Sequence, residues 1–207
     1  MHGKVFLIII MVLTSALVSG QPGFNKQLAA ALDSMYDADQ AGRLRLDSLQ
    51  KKYGWQSEQV QSLLPSLKSQ DSLNVISVKK IIDTYGWQGP DQVGKKGSQT
   101  IFLVIQHADS LTQVTYFPVM QAAVKEGKAL PRELALLEDR ILTTQGKEQV
   151  YGSQVRMTAS GKFEFFPIKD EPNVNTRRAA VGLEPLEAYA KYFDIIYVLP
   201  QAGAQKN

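Results

Sequence analysis

The chain has 207 residues, 44% hydrophobic and 21% charged, with a formal net charge of +3 and no cysteine. That length suffices for one domain with a sizeable core, and so ordinary a composition excludes a disordered, collagen-like or coiled-coil chain. No Lys/Arg stripe interleaved with aromatics appears, so a nucleic-acid partner is not expected; the missing cysteines exclude a disulfide framework, a thiol nucleophile and Cys-ligated zinc.

Residues 1–20 carry Lys4, an unbroken apolar run from Val5 to Leu13, and then small residues ending in Val18-Ser19-Gly20. This is the layout of a secretory signal peptide, with cleavage expected after Gly20. The run is shorter than the roughly 18 apolar residues of a membrane helix. No membrane span is therefore expected after signal cleavage, and the protein is expected to be exported, periplasmic or extracellular. An exported chain without cysteine suits a bacterial periplasm or cell exterior.

Phe24, Leu28, Leu32, Met35 and Tyr36 recur at three- and four-residue spacing and predict a first amphipathic helix. Leu44 to Tyr53, Val60 to Leu64, and Leu73 to Tyr85 predict three more, all short. Tyr-Gly-Trp occurs at Tyr53-Gly54-Trp55 and again at Tyr85-Gly86-Trp87. It reads either as a weak internal repeat or as two helices each closed by a glycine. Residues 88–99, with three glycines and a proline, read as a linker. Ile101 to Ile105 is a continuous apolar run, interior whether strand or helix. Val114, Phe117, Met120 and Val124 predict a helix closed by Gly127, with Pro118 kinking it or starting its second half. Pro131 suits the first position of a helix running to about Gln145. Its apolar face holds Leu134, Leu137 and Ile141, and a second packed surface is expected to meet Asp139 and Arg140. Residues 149–168 predict a β-hairpin turning at Thr158 to Gly161. Helix then returns over Val174 to Val181 and from Leu186 to about Val198. The expected fold is α+β and mainly helical: short N-terminal helices over residues 21–92, packed on a core domain over 93–198 that carries the hairpin, with a flexible tail over 199–207.

In the second half, Gln106-His107-Ala108-Asp109, Leu137-Glu138-Asp139-Arg140, Gln145-Gly146-Lys147 and Tyr151-Gly152-Ser153-Gln154 follow one another. Pro167, Arg177-Arg178 and Val181-Gly182-Leu183-Glu184-Pro185-Leu186 complete the series. In order and spacing these motifs resemble the bacterial domain of unknown function 6624. The resemblance runs from about Asp37 to Tyr189 and takes in Asp39-Gln40 and Arg43. Ser153 stands where threonine is expected, and Gln88 where proline is expected. The resemblance implies relatives and no reaction.

With His2 removed in the signal, His107 is the one imidazole of the mature chain. It could act as a general base or metal ligand oriented by Asp109, with Asp139 a further candidate carboxylate. Residues two apart on a helix do not face each other, so Asp109 is equally an N-cap for the next helix. No metal-ligand spacing is present, no cofactor is implied, and Ser153 lacks a nucleophile-elbow context. Arg140, Arg177 and Arg178, with Gln145, Tyr151 and Gln154, could grip a carboxylate or phosphate. Alternatively they pair internally with Asp139, Asp170 and Glu171. Two functions stay open: a binding or interaction domain with a polar groove for a small molecule or protein, and a hydrolase-like enzyme using His107 as base.

Overall fold

The computed structural model describes residues 23–200; the expected signal peptide and most of the expected tail lie outside them. The described residues form a mainly helical α+β fold of seven α-helices and one two-stranded antiparallel hairpin. None of these helices is long and apolar enough to cross a membrane.

The four short helices expected before residue 86 are two long ones, α1 (Lys26–Tyr53) and α2 (Glu58–Tyr85). Asn25 caps α1 by accepting from the Leu28 N–H, and Ser57 caps α2 by accepting from the Val60 N–H. Both end at the glycines of the Tyr-Gly-Trp tripeptides, Gly54 (φ 82°) and Gly86 (φ 72°), a conformation that favours glycine. The gaps expected between these short helices, at residues 37–43 and 65–72, are helical, because tertiary contact overrides propensity there. A Cβ on Gly42 would stand 2.5 Å from Leu67 Cδ2, so glycine lets α1 approach α2, and Pro65 is carried inside α2.

Residues 88–99 are not a linker. From Pro90 onward they begin α3 (Pro90–His107), so the segment boundary expected at residue 92 lies inside a helix. Each residue that suggested a loop has a helical task. Gly89 is the N-cap, its N–H held by the Gln92 side chain; Pro90 takes the first turn; Gly94 (φ 76°) forms a kink. Gly97 admits Leu32 and Val93 against the backbone. The apolar run 101–105 follows on the same helix, with Ile101, Phe102, Val104 and Ile105 buried.

Asp109 caps α4 (Ser110–Lys125), which keeps Pro118 inside it, and a short turn leads to α5 (Pro131–Thr144). Strands β1 (Val155–Met157) and β2 (Phe163–Phe165) pair Val155 with Phe165, and a parallel bridge joins Gln149 to Ile168. Helices α6 (Val174–Ala180) and α7 (Leu186–Ala190) follow. The last helix, expected to reach about Val198, ends early: a 3-10 turn over Lys191–Phe193 stops at Asp194 (φ 55°), and Ile196 is fully exposed.

Two separate cores result. The larger joins α1 to α5 through Leu32, Val78, Ile82, Trp87, Ile101 and Leu137. The smaller gathers Ile168, Val174 and Leu186, with Phe165 and Tyr189 packed on it.

Candidate functional site

On α1 the inward positions between Tyr36 and Leu46 are polar. Asp39, 6% exposed, accepts from Gln40 Nε2 at 2.8 Å and from Arg43 Nε at 3.1 Å. Arg43 also reaches α2, where its Nη2 donates to Asp71 Oδ1 at 2.8 Å. Burial pushes the Asp71 carboxyl up against the opposing pull of Arg43. One turn on, Asn74 accepts from Gln70 Nε2, while its own Nδ2 is buried without a partner.

His107, the last residue of α3, meets this cluster. Burial foremost, then the charges of Arg43 and Arg140, lower its pKa to about 4 against the opposing pull of Asp39. The ring is neutral at pH 7, and its buried Nδ1 has no hydrogen-bond partner. Arg140, near the end of α5, has its Nε buried and unpartnered, and it makes no ion pair among the described residues. Gln106 Nε2 donates to Leu136 O on α5 at 3.4 Å, and Gln106 Oε1 too is left over. Buried polar atoms are nearly always satisfied, so these unmet groups on α2, α3 and α5 mark a polar network that is only half made. The Arg140 guanidinium and a neutral imidazole offer donors to an anion. Among the described residues no three His, Asp or Glu side chains gather as metal ligands would.

The other residues singled out by sequence lie elsewhere, and most hold a loop. Asp139, fully buried, faces away from Arg140: it accepts the N–H groups of Val150 (2.6 Å), Tyr151 (3.0 Å) and Ser153 (2.9 Å). Burial raises its pKa, and those three N–H bonds pull the other way. Arg177 Nε donates to Val150 O at 2.8 Å, and its Nη1 pairs with Asp170 at 3.3 Å. Arg178, 1% exposed, donates to Tyr151 O and Glu184 O and stacks over the Tyr189 ring. Gln149 spans the loop base, giving Nε2 to Gln154 O and Phe166 O and taking the Gln154 N–H. Gln154 donates to Ser153 Oγ. Inside this clamp Gly152 adopts φ 70°, and a Cβ there would stand 3.0 Å from Ile168 and Leu186. Gln145 is exposed and accepts from Lys147, and Asp109 spends its carboxylate on the N–H and hydroxyl of Thr112.

Sequence reading reached His107 and Arg140, and noted Asp39, Gln40 and Arg43 without joining them to the site. Asp71 and Asn74 went unseen. The available signal was the break in the apolar period of α1, where inward positions turn to Asp and Arg without the helix ending.

No curated protein and no solved structure matches the chain. Residues 26–201 match the family of unknown function DUF6624, so the chain belongs to that family.

Proposed function

We propose that the protein is an exported binding domain that takes a small carboxylate- or phosphate-bearing molecule at the polar cluster where Arg43 of α1, His107 of α3 and Arg140 of α5 come together. The observation that carries this is the Arg140 guanidinium, half-buried with no carboxylate partner, beside an imidazole whose Nδ1 is unmet. A guanidinium fork matches a carboxylate or phosphate in two hydrogen bonds. Arg43 is already paired with Asp39 and Asp71, so Arg140 is the guanidinium left for the ligand. Neutral His107 can donate or accept a single bond. The residues 1–20 that read as a signal peptide support export.

The hydrolase alternative is less well supported. A general base works best with a pKa near the operating pH, and burial between two arginines takes His107 well below that. The serine of the Tyr-Gly-Ser-Gln motif is engaged with Gln154 and the Asp139 clamp instead.

The test is a titration of inorganic phosphate and of succinate into the protein at pH 7, followed by the His107 ring and arginine side-chain resonances. Binding is expected to move both and to raise the His107 pKa, because the anion offsets the arginine charges. Arg140→Lys, which keeps the charge and loses the fork, is expected to weaken binding about tenfold, equal to about 1.4 kcal/mol. If neither anion moves these resonances at millimolar concentration, the reading fails.

A further inference from the structure

Helices α3 and α5 run side by side, with Ser98 Oγ on the Lys128 carbonyl at one end and Gln106 on the Leu136 carbonyl at the other. Eight residues of helix, about 12 Å, separate these contacts. The end away from His107 holds a cavity of 390 Å³ between the first turns of α3, the turn after α4 and the start of α5.

One acid lines it. Glu133, in the first turn of α5, is 7% exposed and makes no ion-pair contact among the described residues. Burial foremost raises its pKa to about 7; a bond from the Leu130 N–H and the charge of Arg132 pull the other way. The other charged residues that line the cavity are cations: Lys95 on α3, Lys128 in the turn, and Arg132 on α5, whose charge acts on Glu133. Lys128 is occupied by Glu126 at 2.7 Å, whereas neither Lys95 nor Arg132 makes an ion-pair contact among the described residues. Pro90, Ala129 and Leu130 complete the wall with apolar surface. An ammonium ligand would enter against two unpaired positive charges. An anion meets two free cations and a carboxyl that, when protonated, donates a charge-assisted hydrogen bond, roughly twice as strong as a neutral one. Binding pockets of this size are typically apolar with a few convergent polar groups.

We propose that this cavity is a second ligand site, which takes a small amphiphilic carboxylic acid. The ligand carboxylate accepts a hydrogen bond from the Glu133 carboxyl and pairs with Lys95 and Arg132, and its alkyl part lies on Pro90, Ala129 and Leu130. The site is independent of the His107 cluster.

Hexanoate, ionised at both pH 6 and pH 8, is the probe, with the backbone amides of Ser98, Ala129 and Leu130 as reporters. Affinity is expected to fall about tenfold from pH 6 to pH 8, since the donor proton is lost as pH rises through about 7. Glu133→Gln keeps an N–H donor and removes the titration, so its affinity should be equal at the two pH values. Lys95→Ala and Arg132→Ala, both at exposed positions, should weaken binding severalfold whether or not Glu133→Gln folds. The shifts at Ala129 should persist in Arg140→Lys, which separates this site from the first. Three results would overturn the proposal: no shift at these amides, equal hexanoate affinity at both pH values in the unaltered protein, or tighter binding of hexylamine than of hexanoate.

Discussion

Asp139 and Arg140 are neighbours on α5 with opposite surroundings. The carboxylate is saturated by three backbone N–H groups, and the guanidinium next to it has an unmet Nε. Their substitutions should therefore separate stability from binding. Asp139→Ala orphans three donors, each costing about 1–3 kcal/mol when buried, so a loss of about 3 kcal/mol or more is expected in chemical denaturation. Arg140→Met removes a charge that no carboxylate pairs with among the described residues, and stability should hold or rise while anion binding is lost. Sequence could place both residues on one helix but could not tell them apart. What distinguishes them is a loop a dozen positions later that folds back onto only one side of α5. Arg177 and Arg178 are read in the same way: adjacent arginines suggest an anion grip, yet each faces carbonyls of residues 150 and 151.

At the level of elements, α4 and α5, with clean apolar spacing and an Asp or a proline at the start, were legible, as were α6 and the hairpin. Asp109 is the N-cap of α4, and Asp109→Ala is expected to cost about 1 kcal/mol in thermal denaturation without altering anion binding. The extent of α1 and α2 was not legible, because a helix is recognised by an apolar stripe and α1 carries Asp39 and Arg43 inward midway along it. The partner that makes this tolerable, Asp71, sits 28 positions away. Residues 88–99 misled for a related reason: glycine and proline mark loops on average, but here they serve a cap, a first turn, a kink and a close approach.

For the molecule as a whole, two buried groups give pH opposite effects. The unfolded imidazole of His107 takes up a proton near 6.5 and the folded one only near 4. Between those values the unfolded state holds more protons, so His107 withdraws stability as pH falls from 6.5 through 4, by up to about 3 kcal/mol. Glu133 acts in reverse. Its folded pKa of about 7 lies above the ordinary 4.5, so its contribution is complete below 4.5 and is lost as pH rises through 7. Unfolding free energies measured from pH 4 to pH 8 should thus change little in the unaltered protein where the two overlap. His107→Gln should leave a curve that falls with rising pH, and Glu133→Gln one that rises with it. A flat curve in either variant would mean that the group left in place is not buried as described.

The clamp around residues 149–154 has one more consequence. The two hydrophobic cores share no side chain, and polar bonds from Asp139, on the helical body, hold the loop that leads into the smaller core. Polar bonds lose their advantage as soon as water can reach them, whereas apolar packing must be pulled apart over its whole area. The hairpin with α6 and α7 should accordingly behave as its own cooperative unit, opening before the helical body does. In native-state hydrogen exchange, the amides of Val150, Tyr151 and Ser153 should exchange together, at a lower opening free energy than those of Ile101 to Ile105. Asp139→Asn should widen that gap while leaving the helical amides unmoved.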